Sequence, residues 1–143
     1  MAVDYSRLPQ LAAYDLENGW LLDVREGDSI EFTMAAALTY AHPLNQRTLW
    51  AKIENALVRD LPPQFGPTWA RILVVFPKVR STKWIKRTMR PNVDPNGSID
   101  YGSTEHFTVE GDMSRLGGEW GELEIVSDPV EVREIEILNC WSR

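Results

Sequence analysis

The chain has 143 residues and a mass of 16.3 kDa, which is the usual size of one domain. With 43% hydrophobic and 25% charged residues, its composition excludes a disordered, collagenous or coiled-coil protein. The 15 basic and 21 acidic side chains give a net charge of −6, so most of the surface repels nucleic-acid phosphates. We therefore expect one domain that spans residues 1–143.

Strict alternation of apolar side chains between residues 30 and 40 predicts a long β-strand. Its apolar side comprises Ile30, Phe32, Met34, Ala36, Leu38 and Tyr40. The preceding segment places Trp20, Leu22 and Val24 on one face, and a turn at residues 26–28 joins the two segments. The pattern predicts an N-terminal β-hairpin with one buried side.

The next segment has helical periodicity. Leu49, Ile53 and Leu57 recur at four-residue spacing. Thr48 fits the N-cap and Pro62 ends the pattern, so we predict a helix of about three turns. The run at residues 71–76 is apolar on both faces, which predicts a central strand covered on both sides, with the helix on one of them.

The last third of the chain predicts a β-meander with turns near residues 111, 118 and 128. In its final strand the apolar side chains change from even to odd positions, which predicts a β-bulge at residues 133–134. Altogether we predict a mainly β fold, α+β with one helix. It is an antiparallel β-sandwich or partly open barrel of about six to seven strands with the helix packed on it.

Residues 78–90 form a basic stretch in this acidic chain. The stretch contains six cations and no acid, with Trp84 in the middle. Such a mixture suits a single nucleic-acid strand, which is held by charge and by stacking. The same mixture is typical of a strand and loop that bury Trp84 and Ile85 and leave their basic side chains in solvent. We favour the second interpretation, so nucleic acid is not the expected partner.

The loop at residues 94–105 has oxygen-bearing side chains at its positions one, three, five and seven, and Glu105 at position twelve. This is the ligand spacing of a calcium loop between two helices. However, Ile99 replaces the glycine of the sharp turn, Pro95 stiffens the start, and the flanks lack helical periodicity. A Pro-Asn-Gly turn followed by a strand explains the same residues without a metal.

His42 and His106 are the two histidines of the chain. Glu105 and Asp100 precede His106 closely enough to suggest a general base, but no nucleophile motif accompanies it. Two histidines are also too few for a typical zinc site. We expect a structural or solvent-facing role for both. The enzymatic alternative is a small-ligand or hydrolytic pocket at the mouth of the β scaffold, lined by Asp100, Glu105 and His106.

Six tryptophans are many for a chain of this length, and they suggest an aromatic binding surface. Trp20, Trp50 and Trp69 fall on predicted core faces. Trp84, Trp120 and Trp141 fall in or beside turn-rich or terminal segments, so these three are predicted to form a binding face.

Several blocks of the sequence resemble small bacterial proteins that have no assigned activity. The blocks are DSIEFTMAAALTYAHP at residues 28–43, VRSTKW at 79–84, NGSIDYGS at 96–103 and GGEWGELEI at 117–125, together about half of the chain. The resemblance implies a bacterial, cytosolic, β-rich domain and carries no catalytic residue over. By analogy of size and charge, it suggests an immunity-like protein that caps a toxin.

The single cysteine, Cys140, cannot form an internal disulfide and fits a reducing compartment. No apolar run approaches the ~18–20 residues that cross a bilayer, and the N-terminus lacks the order of a secretory signal. We therefore expect a cytoplasmic protein with no membrane partner.

These observations favour a non-enzymatic domain that binds another protein through an acidic surface bearing exposed tryptophans. The residues expected at the binding site are Trp84, Trp120, Trp141, Asp100, Tyr101, Glu105 and His106. No catalytic residue, metal ligand or cofactor is expected, and the oligomeric state stays open.

Overall fold

The computed structural model describes residues 2–39, 41–43 and 69–138. Strands dominate this part of the chain. They are β1 (Val3–Asp4), β2 (Tyr14–Glu26), β3 (Ile30–Leu38), β4 (Trp69–Phe76), β5 (Ser81–Arg87), β6 (Asn92–Val93), β7 (Ile99–Asp100), β8 (Thr104–Glu110), β9 (Met113–Gly118), β10 (Gly121–Val126) and β11 (Glu131–Leu138). A 3-10 helix of one turn covers Tyr5–Arg7.

The strands form two antiparallel sheets and a small hairpin. Sheet A has the order β1-β8-β9-β10-β5, and sheet B has the order β11-β4-β3-β2. Strands β6 and β7 pair with each other in a separate two-stranded unit. The described part of the chain is therefore mainly β with antiparallel sheets, as predicted, and its sheets do not close into a barrel. The helix predicted from Thr48 to Pro62 lies outside the described residues.

Within residues 2–39, 41–43 and 69–138, no helix has the length and apolarity needed to cross a membrane.

The predicted N-terminal hairpin is confirmed, with one correction. The inward side chains of β3 are all at most 5% exposed, whereas Tyr40 lies outside the described residues. In β2, however, Leu21 is fully buried and pairs with Met34, while Trp20 pairs with Ala35 on the opposite face. The predicted shared face of Trp20, Leu22 and Val24 is wrong because β2 has two register shifts, which interrupt the alternation.

Strand β4 lies between β11 and β3, as expected of a central strand. Its side chains Ala70, Ile72, Val74 and Phe76 have no exposed surface. The bulge predicted in the last strand is also found. The register of β11 against β4 shifts between Glu134 and Glu136, one residue beyond the predicted position.

The core combines side chains from both sheets. Trp120, which follows β9, contacts Phe32 of β3 at 5.7 Å between ring centroids. Phe32 contacts Phe76 at 5.6 Å, and Phe76 contacts Phe107 of β8 at 5.8 Å. Burial of one such ring contributes about 1.5–3 kcal/mol to the free energy of unfolding. This aromatic series connects sheet A to sheet B.

Candidate functional site

The basic stretch seen in the sequence forms an exposed edge of sheet A. Strand β5 (Ser81–Arg87) takes up most of it, and six of its seven residues are exposed. The strand pairs with β10 on one side. On its other side the described part of the chain supplies no strand. One row of backbone N–H and C=O groups therefore faces outward, which is the arrangement that can accept a further strand.

A bulge in β5 decides where its side chains point. Lys83 pairs with Glu124, Trp84 with Leu123, and Lys86 with Glu122, so Ile85 has no residue opposite it. Trp84 faces the core, whereas the two lysines lie on the outer face. Ile85 is left 46% exposed, so the burial predicted for it from the sequence is wrong, because the bulge leaves it without a place on the inner face.

Trp84 joins this edge to sheet B. Its indole N–H donates a hydrogen bond of 2.9 Å to the Glu26 carboxylate at the end of β2. The Arg87 guanidinium lies 4.5 Å from the Trp84 ring centroid and forms an ion pair of 3.2 Å with the other Glu26 oxygen. Because Arg87 covers one face of the half-buried indole, Trp84 is poorly placed to stack on a nucleic-acid base.

Two of the cations on β5 are available for a partner. Glu124 forms its ion pair with Arg115, and Glu122 lies 3.6 Å from His106. No ion pair joins Lys83 or Lys86 to any residue in the ranges that the structure describes. The outer face of the edge therefore carries positive charge that its neighbours do not fully neutralise.

Arg80 holds the chain immediately before β5. Its guanidinium donates to Asp112 at 2.8 Å, to Asp128 at 3.0 Å and to the Ser127 carbonyl at 3.1 Å. Hydrogen bonds to Asp112 and Asp128 raise the pKa of Arg80 above its usual range. Arg80 thus ties three loops together and sets the start of the strand.

The described structure contradicts the predicted tryptophan face at Trp120. Trp120 has no exposed surface, and its indole N–H donates to the Thr104 hydroxyl at 3.1 Å inside the core. A side chain at this position cannot contact a partner on the surface, so Trp120 is a core residue here. Trp141 lies outside the described residues. Of the three tryptophans, Trp84 is the one that the described structure places at an edge.

The other predicted site residues lie in different surroundings. Asp100 is 1% exposed, and its Oδ1 atom accepts from the amide of Gly102 at 2.9 Å and from the Asn92 side chain at 3.2 Å. The Tyr101 amide donates to the Leu21 carbonyl at 2.7 Å. Tyr101 therefore anchors the region after β7 to β2, whereas Asp100 connects β7 to β6 and to the amide of Gly102.

His106 and Glu105 belong to β8 instead. His106 lies on the outer face of sheet A against Glu122, above Gly117, and Glu105 is exposed. His106 lies 3.6 Å from Glu122, whereas Asp100 accepts hydrogen bonds from Gly102 and Asn92. The expected pocket residues are thus spread over two environments rather than gathered around one point.

Residues 94–98, at the start of the calcium-like segment 94–105, form the tip of the β6–β7 hairpin, and Glu105 at its end lies in β8. The Ser98 hydroxyl donates to Asp94 at 3.1 Å and contacts Asn96 at 2.7 Å, and the Asp94 amide donates to the Ser98 carbonyl. Gly97 has a φ of 86°, which glycine adopts easily. These contacts form the turn predicted from Pro-Asn-Gly. Over the described ranges, no three His, Cys, Asp or Glu side chains are grouped to hold a metal.

One cavity, lined by the segments around Pro77 and Pro129, has a volume of about 700 Å³. Its charged lining is already paired, because Lys78 lies 4.0 Å from Asp128 and Arg133 lies 4.0 Å from Glu131. A cavity without converging polar groups is a weak candidate for a specific ligand site.

One cluster of polar side chains was not predicted from the sequence. The Oε1 atom of Glu134 accepts from the Tyr14 hydroxyl at 3.0 Å and lies 2.7 Å from His42 Nε2. Burial, together with the Glu134 contact, raises the pKa of Tyr14 to about 12. The three residues are far apart in sequence, so spacing does not reveal them. Glu134 pairs with Ile72 immediately before the β11 bulge, so its side chain lies on the same face of sheet B as the buried Ile72.

Compared with known protein families, with characterised proteins and with solved structures, the chain matches none. Its function is therefore argued from the geometry of these sites alone.

Proposed function

We propose that this chain is a protein-binding domain and that its binding site is the open edge of β5. The observation that carries the proposal is the exposed row of backbone groups along Ser81–Arg87, bordered by Ile85 and by Lys83 and Lys86. An added strand would satisfy the backbone groups, while Ile85 would supply apolar contact. The lysines would select a partner that carries acids.

The proposed binding surface differs from the one expected from the sequence. The binding site is a basic edge in a chain of net charge −6, rather than an acidic face with several exposed tryptophans. The remainder of the chain is more acidic than the whole, so it repels a large acidic surface. A partner that presents a short acidic strand avoids most of this repulsion because surface charges are screened beyond about 10 Å.

An enzymatic role at Asp100, Glu105 and His106 has less support. Asp100 is buried and engaged with Gly102, whereas His106 faces Glu122 on the outer side of sheet A. A hydrolytic site needs its acid and base within reach of one reacting atom. The bacterial origin and the immunity-like role rest on the sequence resemblance and remain proposals. The cytoplasmic location, which rests also on the single cysteine, is a proposal too.

The finer architecture is also a proposal. We infer that sheets A and B pack face to face as a β-sandwich, because rings of both sheets meet in the core. The helix predicted at residues 48–61 would then cover the outer face of sheet B. This face is apolar at its centre, where Ala35 is fully buried, Val75 is 5% exposed and Leu73 is half-buried.

A photocrosslinking amino acid at position 85 tests the function in the organism that makes the protein. We expect an adduct of defined mass with one protein. The same amino acid at Val93, which is 66% exposed on the small hairpin, provides the matched control. Introducing Lys86→Glu beside the crosslinker should remove the adduct. Equal adducts at positions 85 and 93, or none at position 85, would contradict a binding role for this edge.

A further inference from the structure

The two sheets each end in a strand with one open side. Sheet A ends at β5, and sheet B ends at β11 (Glu131–Leu138). Neither strand has a second neighbour within the parts of the chain that the structure describes. The two strands are of similar length, seven and eight residues. Each also contains one bulge, at Ile85 and at Ile135.

Exposed apolar side chains concentrate on these two edges. Of the five large apolar residues that are exposed in the described ranges, Ile85 lies on β5, and Ile135 and Ile137 lie on β11. Their exposed fractions are 46%, 52% and 39%. The other two, Val93 and Ile99, are register partners in the small hairpin. Both edges therefore present apolar surface whose burial would be favourable.

The two edges carry opposite charge. Strand β5 has Lys83, Lys86 and Arg87 and no acid. Strand β11 has three glutamates and one arginine. By their register, Lys83 and Lys86 lie on the outer face of sheet A, and Glu131 and Glu136 share the outer face of sheet B with the residues opposite them on β4.

Charge decides among the pairings that two copies of the chain could form. Two β5 edges would bring lysines opposite lysines, and two β11 edges would bring glutamates opposite glutamates. Like charges directly across a strand pair are destabilising, and opposite charges are stabilising. Lysines and bulges on edge strands also discourage pairing between identical edges. The mixed pair of β5 with β11 is therefore the favourable combination.

We propose that β5 of one copy adds to β11 of a second copy, so that sheet A of the first continues into sheet B of the second. This inference rests on the proposed function, since it uses the same edge and names its partner. The contact is heterologous and leaves one edge of each type free, so it repeats into a ring or an open chain. Glu136 already pairs with Arg71 at 2.8 Å, and Arg87 already pairs with Glu26. Competition from these internal pairs makes the contact reversible.

Sedimentation velocity of the full chain gives the first test. At low salt we expect the mass to rise above 16.3 kDa as concentration increases. Added salt should shift this rise to higher concentration, because screening weakens the charge pairs. A chain that stays monomeric at every concentration in low salt would overturn the inference.

A charge exchange then identifies the two edges. Variant one carries Lys83→Glu and Lys86→Glu, and variant two carries Glu131→Lys and Glu136→Lys. Each variant alone has two edges of like charge, so each should associate at least about tenfold more weakly than the original chain. An equal mixture should regain association, because the acidic β11 of variant one meets the basic β5 of variant two. The acidic β5 of variant one and the basic β11 of variant two form a second complementary pair in the mixture.

Controls separate edge effects from general charge. Variant two lowers the magnitude of the net charge, so weaker association in this variant cannot arise from overall repulsion. Glu105→Lys on β8 should leave association unchanged. Melting curves confirm folding, and Ile85→Asp repeats the test at one exposed position if variant one unfolds.

A mixture that fails to associate would overturn the pairing of β5 with β11. A monomeric chain whose position 85 still crosslinks to a different protein would refute this inference and leave the proposed function standing.

Discussion

The indole of Trp84 meets that of Trp120 edge to face, with ring centroids 6.1 Å apart and planes at 85°. Trp120 is fully buried and bonded to Thr104, whereas Trp84 is half-buried beneath Arg87. The two rings form a continuous connection from the aromatic core to the exposed edge of sheet A. Edge-to-face contact of this kind adds about 0.5–1.5 kcal/mol beyond simple burial. The proposed binding edge is therefore supported directly by the core.

Replacement of each tryptophan by phenylalanine should separate the contribution of Trp120 to the core from that of Trp84 at the edge of sheet A. Trp120→Phe leaves a cavity and removes the partner of the buried Thr104 hydroxyl, so we expect a loss of about 2–4 kcal/mol in the free energy of unfolding. Trp84→Phe loses a hydrogen bond to the exposed Glu26, and we expect a loss of about 1 kcal/mol. Urea unfolding measures both. Equal losses would show that Trp84 is as central to the core as Trp120.

Gly118 at the end of β9 allows two strands to approach closely. A Cβ at this position would overlap the carbonyl oxygen of Ser103 and crowd the backbone of Thr104. Since backbone atoms cannot move aside without disturbing β8, we expect Gly118→Ala to cost more than about 2 kcal/mol. Gly27→Ala is the control, because its nearest neighbour is the Ser29 carbonyl at 3.8 Å. Thermal unfolding of the two variants should differ clearly, and similar melting temperatures would contradict this account.

Arg80 should stabilise the turn between β8 and β9 and the loop that precedes β11. Arg80→Ala removes the hydrogen bonds to Asp112, Asp128 and the Ser127 carbonyl. We expect a lower melting temperature and faster amide exchange at residues 111–112 and 127–128, while the centre of β4 keeps its protection. Arg25→Ala is the control, because its side chain is 81% exposed and lies 3.8 Å from Asp23. Unchanged amide exchange at these loops in Arg80→Ala would show that Arg80 does not hold them.

The sequence predicted regular features well and irregular ones poorly. The alternation in β3 and the apolar run in β4 each depend on one uninterrupted period, so a single pattern was sufficient. Strand β2 failed because bulges shift its register without a clear sequence signal. The bulge in β11 was found because apolar residues on both sides of it recorded the change of face.

The site was less accessible to sequence reasoning. Trp120 follows two glycines, and this turn-like setting suggested exposure, yet the turn folds the indole inward against Phe32. The basic stretch was visible in the sequence. Its position at the end of sheet A was not, because strand order depends on pairings between residues far apart in the chain. The contacts of Tyr14 and His42 with Glu134 remained hidden for the same reason.

Tyr5 should make the fold sensitive to alkaline pH. Its side chain is 5% exposed, and its hydroxyl oxygen accepts a hydrogen bond of 3.0 Å from the Leu16 amide. Burial raises the pKa of Tyr5 from 10.0 to about 12. The native state thus favours the neutral phenol, and the unfolded chain ionises first. This stabilisation is complete below about pH 10 and is lost as the pH rises from about 10 to about 12. We expect stability to fall by up to about 1 kcal/mol per pH unit in this range.

Tyr5→Phe tests whether ionisation of Tyr5 lowers the stability of the fold above pH 10. At neutral pH the variant should be about 1–2 kcal/mol less stable, because the buried Leu16 amide loses its acceptor. Its stability should then decline less steeply above pH 10 than that of the original chain. Tyr14 also has a pKa raised to about 12 by burial, so the variant that replaces both tyrosines should show the smallest decline. Urea unfolding at a series of pH values measures the slopes. An unchanged alkaline slope in the double variant would rule out tyrosine ionisation as the cause.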